Sequence, residues 1–165
     1  MEAGAELRYT HRMKTIELML RSHPHADTQR SSDYAEALKA LATCAEMCTA
    51  CADACLAEPE HLEHLRRCIT TDLDCADVCH TTARLLIRFT DTPHELVHAQ
   101  LHACILACQI CADECERHAD HHDHCRINAE SCRYCQERCN FLLGEISSSG
   151  TAETSSPEES PTMSP

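Results

Sequence analysis

The sequence predicts an all-α protein: an antiparallel up-down-up-down four-helix bundle with an N-terminal helical arm and a disordered C-terminal tail. Three observations lead there. Cysteine recurs at steps of three, four and seven residues over four separate stretches, and those steps keep side chains on one face of a helix. The 165 residues contain only 3 glycines and 6 prolines, too few for an all-β fold with many tight turns. Three short links join the four stretches, which sets successive helices antiparallel.

The length suits one domain, divided into an amphipathic arm (1–30), a cysteine-lined bundle (31–146) and a tail (147–165). In the arm, Leu7, Ile16, Met19 and Leu20 fall on one side of a helix over 5–22, closed by Ser22-His23-Pro24. The first bundle helix is expected to follow the N-cap pair Ser31-Ser32 and run to about Ala57. Pro59 ends it and suits the first turn of a second helix, about 60–89. Thr92-Pro93 opens a third, about 93–118, and the HADHHDH stretch leads into a fourth, about 123–145. From Ser147 onward the sequence carries too little apolar surface to offset the entropy of ordering.

Charge narrows the function. Lys and Arg total 14 against 27 Asp and Glu, a net charge of −13. Nucleic acid and anionic membrane surfaces both call for clustered basic side chains, so neither is an expected partner. No apolar run is expected to span a bilayer. The N-terminus has no basic n-region, apolar core or twin arginine, and the expected location is cytoplasmic. Thiols are kept reduced there, so 15 cysteines point to metal or redox chemistry rather than disulfides.

The cysteine spacing carries the chemistry. Cys44, Cys48, Cys51 and Cys55 read CxxxCxxCxxxC, and Cys104, Cys108, Cys111 and Cys115 repeat it without change. Cys68, Cys75 and Cys79 follow steps of seven and four; Cys132, Cys135 and Cys139 read CxxCxxxC, with Cys125 seven residues before Cys132. Each set occupies the face that a bundle buries, where leucine would ordinarily sit. Cysteine can serve as a small core hydrophobe, but leucine would bury more apolar area at every one of these positions. The four stripes are expected to converge on one interior lined with sulfur.

Multiple Cu(I) ions suit such an interior best. Cu(I) is soft and satisfied by two or three sulfurs, so thiolates one helical turn apart can hold an ion almost linearly between them. One monovalent ion per thiolate also neutralises a buried core, whereas zinc shared among four thiolates leaves negative charge behind. Structural zinc further prefers isolated tetrahedral foursomes, which straight helices do not offer. The CxxC units at Cys48–Cys51, Cys108–Cys111 and Cys132–Cys135 lack the loops of ferredoxin ligation and the βαβ setting of a thioredoxin site.

Alternating helix directions gather Cys55, Cys115 and Cys125 at one end with His61, His64, His118, His121, His122 and His124. His61 and His64 share the face of Cys68, His118 that of Cys111, and His122 that of Cys115. His61, His64, His118 and His122 are therefore candidate copper contacts at a mouth through which ions enter and leave. Tyr34, Leu38, Leu41, Leu86, Phe89, Val97, Leu101, Leu142 and Leu143 form an apolar plug at the far end. His94, His98 and His102 lie about 80–160° from the cysteine face of their helix and read as surface or interface residues. Met47 reads as core packing, and Asp72 and Asn128, which interrupt two ladders, as hydrogen-bonding spacers.

At these ladders the chain resembles the bacterial four-helix copper storage proteins, specifically their cytosolic branch, over about residues 33–143. The resemblance implies a homotetramer of bundles, each filled with Cu(I) on bridging thiolates. It also implies a non-enzymatic role in copper homeostasis and detoxification, with a copper chaperone or efflux protein as a further partner. The exported branch carries a twin-arginine signal that this chain lacks. Two other function classes remain open on the residues alone: a CxxC-based thiol redox protein and a zinc-stapled structural module.

Overall fold

The computed structural model describes residues 14–26, 28–88 and 90–150. A short helix, α1, covers residues 14–21. The bundle follows as α2 (Thr28–Leu56), α3 (Leu62–Leu86), α4 (His94–Glu116) and α5 (Asp123–Gly150). No strand occurs among the described residues. Each long helix packs on two others, α2 and α4 both contacting α3 and α5, which closes a ring of four around a central core. The cysteine stripes dictate this closure, because all 15 thiols can leave water only if the four faces meet.

Helix ends shift from the positions that capping signals suggest. α2 starts at Thr28, so Ser31 and Ser32 lie within its first turns rather than capping it. The Arg30 guanidinium stacks over the Tyr34 ring at 5.4 Å, an i, i+4 contact that supports this extra turn. α3 begins after His61, leaving Pro59 in the preceding turn, and ends at Leu86. Pro93, not Thr92, takes the N-cap position of α4, and the Thr92 hydroxyl donates backwards to the Arg88 carbonyl at 3.2 Å. α5 runs to Gly150, past the expected end near 145. Burial of Ile146 and a bond between Ser147 Oγ and His98 Nε2 at 2.8 Å anchor this last stretch against the bundle.

The plug is as expected. Tyr34, Leu38, Leu41, Leu86, Val97, Leu101 and Leu142 are buried and Leu143 is partly so, joined by Leu20, Leu85 and Ile146. Phe89 and Leu7 lie outside the described residues. Each fully buried leucine contributes about 1.5–3 kcal/mol of transfer free energy, so this end anchors the bundle without metal. In α1, Leu20 is buried and Ile16 partly so, but Met19 is exposed, which narrows the amphipathic face of the arm. α4 is the one helix among the described residues long and apolar enough, by length and composition, to cross a membrane. Four of the residues that give it this character are cysteines buried against the other helices.

Candidate metal centre

All 15 cysteines are free and buried. Along one helix, Cys44 and Cys48 Sγ are 3.9 Å apart and Cys75 and Cys79 are 4.0 Å apart, as the four-residue step requires. Contacts between helices are as close or closer. Cys132 of α5 lies 3.6 Å from both Cys44 and Cys48 of α2 and 3.5 Å from Cys111 of α4. Towards the plug, Cys79 reaches Cys104 at 3.8 Å and Cys108 at 3.7 Å, and Cys139 reaches Cys104 at 3.9 Å. Towards the mouth, Cys68 meets Cys115 at 3.5 Å and Cys125 at 3.8 Å, while Cys55 meets Cys125 at 3.9 Å.

These separations decide the coordination the core favours. Two sulfurs each about 2.3 Å from a metal stand about 4.6 Å apart when collinear and about 4.0 Å apart in a trigonal site. The closest thiols, at 3.5–4.0 Å, stand near trigonal spacing, and the wider groups reach 4.8 Å, so the core offers sulfur-sharing three-coordinate positions beside the nearly linear pairs expected from helix spacing. Foursomes do occur. Cys44, Cys75, Cys79 and Cys108 lie within 4.8 Å of one another, as do Cys44, Cys48, Cys75 and Cys132, and Cys79, Cys104, Cys108 and Cys135. The expectation of no such groups came from treating each helix alone, whereas these draw on several helices. They share members, so they form a continuous network rather than isolated tetrahedra.

Burial disfavours the thiolate throughout the network. Hydrogen bonding among the thiols divides them: Cys79, Cys132 and Cys135 are pushed up by it and by desolvation, whereas their neighbours Cys48, Cys104 and Cys115 accept such bonds and are held down against the same desolvation. A cation that replaces the thiol protons removes this penalty.

The two ladder interruptions meet. Asn128 Nδ2 of α5 donates to Asp72 Oδ1 of α3 at 2.9 Å and lies 3.6 Å from Cys111 Sγ and 3.5 Å from Cys115 Sγ. Both thiols also donate to Asp72 Oδ1, at 3.0 Å and 3.3 Å. Burial pushes the Asp72 carboxyl up to about 9, helped by Cys115. Asp72 is therefore more than the spacer read from the sequence, since it groups with Cys51, Cys68 and Cys115 as a possible ligand set.

The mouth is lined with imidazole. His61, His64, His118, His121 and His122, with Leu65 beneath them, enclose a cavity of about 340 Å³. His118 Nε2 is buried without a hydrogen-bond partner, 3.5 Å from Glu114 Oε1. Glu114 is itself buried and held by Arg67 at 3.1 Å and Arg117 at 2.8 Å. The four histidines singled out from the sequence thus share one cavity. His124, placed at the mouth but not singled out, reaches the thiols: its Nε2 is 3.5 Å from Cys55 Sγ, and it groups with Cys51, Cys55 and Cys125. His98 and His102 lie away from the core with ring centroids 5.7 Å apart, and Met47 is half-buried.

Residues 30–144 match the family model described as copper storage protein (Csp). The chain belongs to this family. Among solved structures it is similar to the copper storage protein Ccsp of Streptomyces lividans loaded with 10 copper equivalents. That match has 45% identity and a TM-score of 0.74 over 78% of this chain and 98% of the relative. The cytosolic copper storage protein from the same organism, carrying five coppers, matches at 46% identity and a TM-score of 0.69 over 72% and 98% of the two chains. An uncharacterized cysteine-rich protein of Bacillus subtilis, YhjQ, is 36% identical over 110 residues, 66% of this chain and 95% of its own length. The family match takes in all four long helices and every cysteine described above, so membership and the sulfur-lined core rest on the same residues.

Proposed function

We propose that this chain is a non-enzymatic, high-capacity cytosolic store for Cu(I), filled by stepwise exchange of thiol protons for copper. One observation carries the reading: 15 buried free thiols from four helices share one interior, most of them in overlapping groups within 4.8 Å, close enough for sulfur-bridged ions. A soft monovalent ion neutralises each thiolate it replaces, which lets the whole interior fill without accumulating buried charge. The ligands are the 15 cysteines, and His61, His64, His118 and His122 receive copper at the mouth. His118 Nε2, buried without a hydrogen bond and facing Glu114 Oε1 at 3.5 Å, supports that role. His124 is the link from the mouth to the thiols through Cys55.

The assembly is a homotetramer. Ile127, Tyr134 and Phe141 form a row at seven-residue spacing on the outer side of α5, each close to half-exposed, and a protein-protein contact would cover them. A copper chaperone or efflux protein exchanges ions at the histidine end.

Anaerobic titration with Cu(I) against a competing chelator tests the reading. It should yield about as many ions per chain as there are thiols. Saturation at one or two ions would refute storage.

A further inference from the structure

We propose that the mouth also holds a site for a single borderline divalent cation of the Zn(II) type, built from Glu58, His61 and His122. It is chemically distinct from the sulfur core beneath it. The inference rests on the reading of the core as a Cu(I) store, because it assigns the site a role in closing that store.

Two contacts bring these three side chains together. Glu58 Oε1 is 3.5 Å from His122 Nδ1. Two donors on a tetrahedral ion with bonds of about 2.0–2.1 Å stand about 3.3–3.4 Å apart. The ring centroids of His61 and His122 are 5.5 Å apart. Two imidazoles bound to one such ion through ring nitrogens place their centroids about 5–5.5 Å apart. The Glu58–His122 separation is therefore already close to what a shared ion needs, rotation of the exposed His61 ring brings a third donor to it, and water can complete the shell.

The donor chemistry favours a different ion from the core. Two imidazoles and a carboxylate suit Zn(II)-type ions; Cu(I) only passes over His61 and His122 on its way to the thiolates below, which leaves both imidazoles free once the core is full. The carboxylate brings one negative charge, and the chain as a whole carries −13, so a dication is welcome here. Glu58 and His61 belong to the α2–α3 link, while His122 belongs to the α4–α5 link. A bound dication would tie the two links together across the histidine-lined opening and restrain it.

The test uses the full chain already saturated with Cu(I), so that thiols are not available to zinc. Zn(II) buffered at a set free concentration is equilibrated with the loaded protein, and both metals are counted by mass spectrometry. The expected result is one Zn(II) per chain with the copper count unchanged, and withdrawal of Cu(I) by a chelator slowed several-fold. Glu58→Gln, at an exposed position outside the copper ligands, should weaken zinc binding at least tenfold. Zinc absent from loaded wild-type protein, or held equally well by Glu58→Gln, would overturn the site. Bound zinc that leaves copper withdrawal unchanged would overturn the closure. A failed copper store would appear earlier, as a low copper count before zinc is added.

Discussion

Replacing Asp72 with Asn should change how apo-protein stability depends on pH, and the structure gives the sign and size of the change. The folded-state value for Asp72 is pushed up to about 9, chiefly by burial, against about 3.9 for an unfolded chain. Between those values the native state holds one proton that the unfolded state lacks. Stability therefore falls as pH rises through this interval, by up to about 1.4 kcal/mol per unit from this group alone. From pH 5 to pH 7 the cumulative loss is about 2–3 kcal/mol. Asparagine keeps the size and the hydrogen bonds of the protonated acid but has no proton to lose. Urea unfolding of metal-free, reduced protein at pH 5, 6 and 7 should show the variant gaining on wild type by about that amount, exposed carboxylates cancelling in the difference. Parallel stability profiles would refute the reasoning, because they would mean that Asp72 is ionised in the folded core.

Other predictions follow from the same geometry. Cys132→Ser should lower Cu(I) capacity and affinity more than Cys139→Ser, since Cys132 has three thiols within 3.6 Å whereas Cys139, at the plug end, interacts with Cys104 at 3.9 Å and with Cys135; parallel chelator competition compares them. Changing His61, His64, His118 and His122 together to Ala should slow Cu(I) uptake in stopped-flow traces, and unaltered rates would remove the histidines from the entry route. Loading should release about one proton per thiolate formed, measurable in weakly buffered solution, and affinity should fall as pH is lowered. Leu101→Ala, at a fully buried plug position, should cost about 2–5 kcal/mol in denaturant unfolding of the apo protein.

The ladders were the most legible part of the chain because one residue type repeats with the helical period. Cys104 to Cys115 alone identify a helix, its buried face and its chemistry. Helix ends were less legible. Ser31-Ser32 and Thr92 have capping chemistry, yet Arg30 on Tyr34 carries α2 a turn further back and Pro93 takes the cap of α4. What no local pattern holds is the axial register between helices. The meeting of Asp72 with Asn128 depends on how far α3 slides along α5, and the contact of His124 with Cys55 depends on the α4–α5 link. The same register brings thiols of different helices as close as 3.5 Å and so adds shared, three-coordinate positions to the pairs expected along each helix.

X-ray absorption at the copper edge of the fully loaded protein tests the sulfur network most directly. The account predicts Cu(I) with about three sulfur neighbours at about 2.3 Å and strong scattering from nearby copper ions, as thiolate sharing requires. Copper surrounded mainly by nitrogen and oxygen, or by sulfur with no neighbouring copper, would contradict a connected core drawn from all four helices.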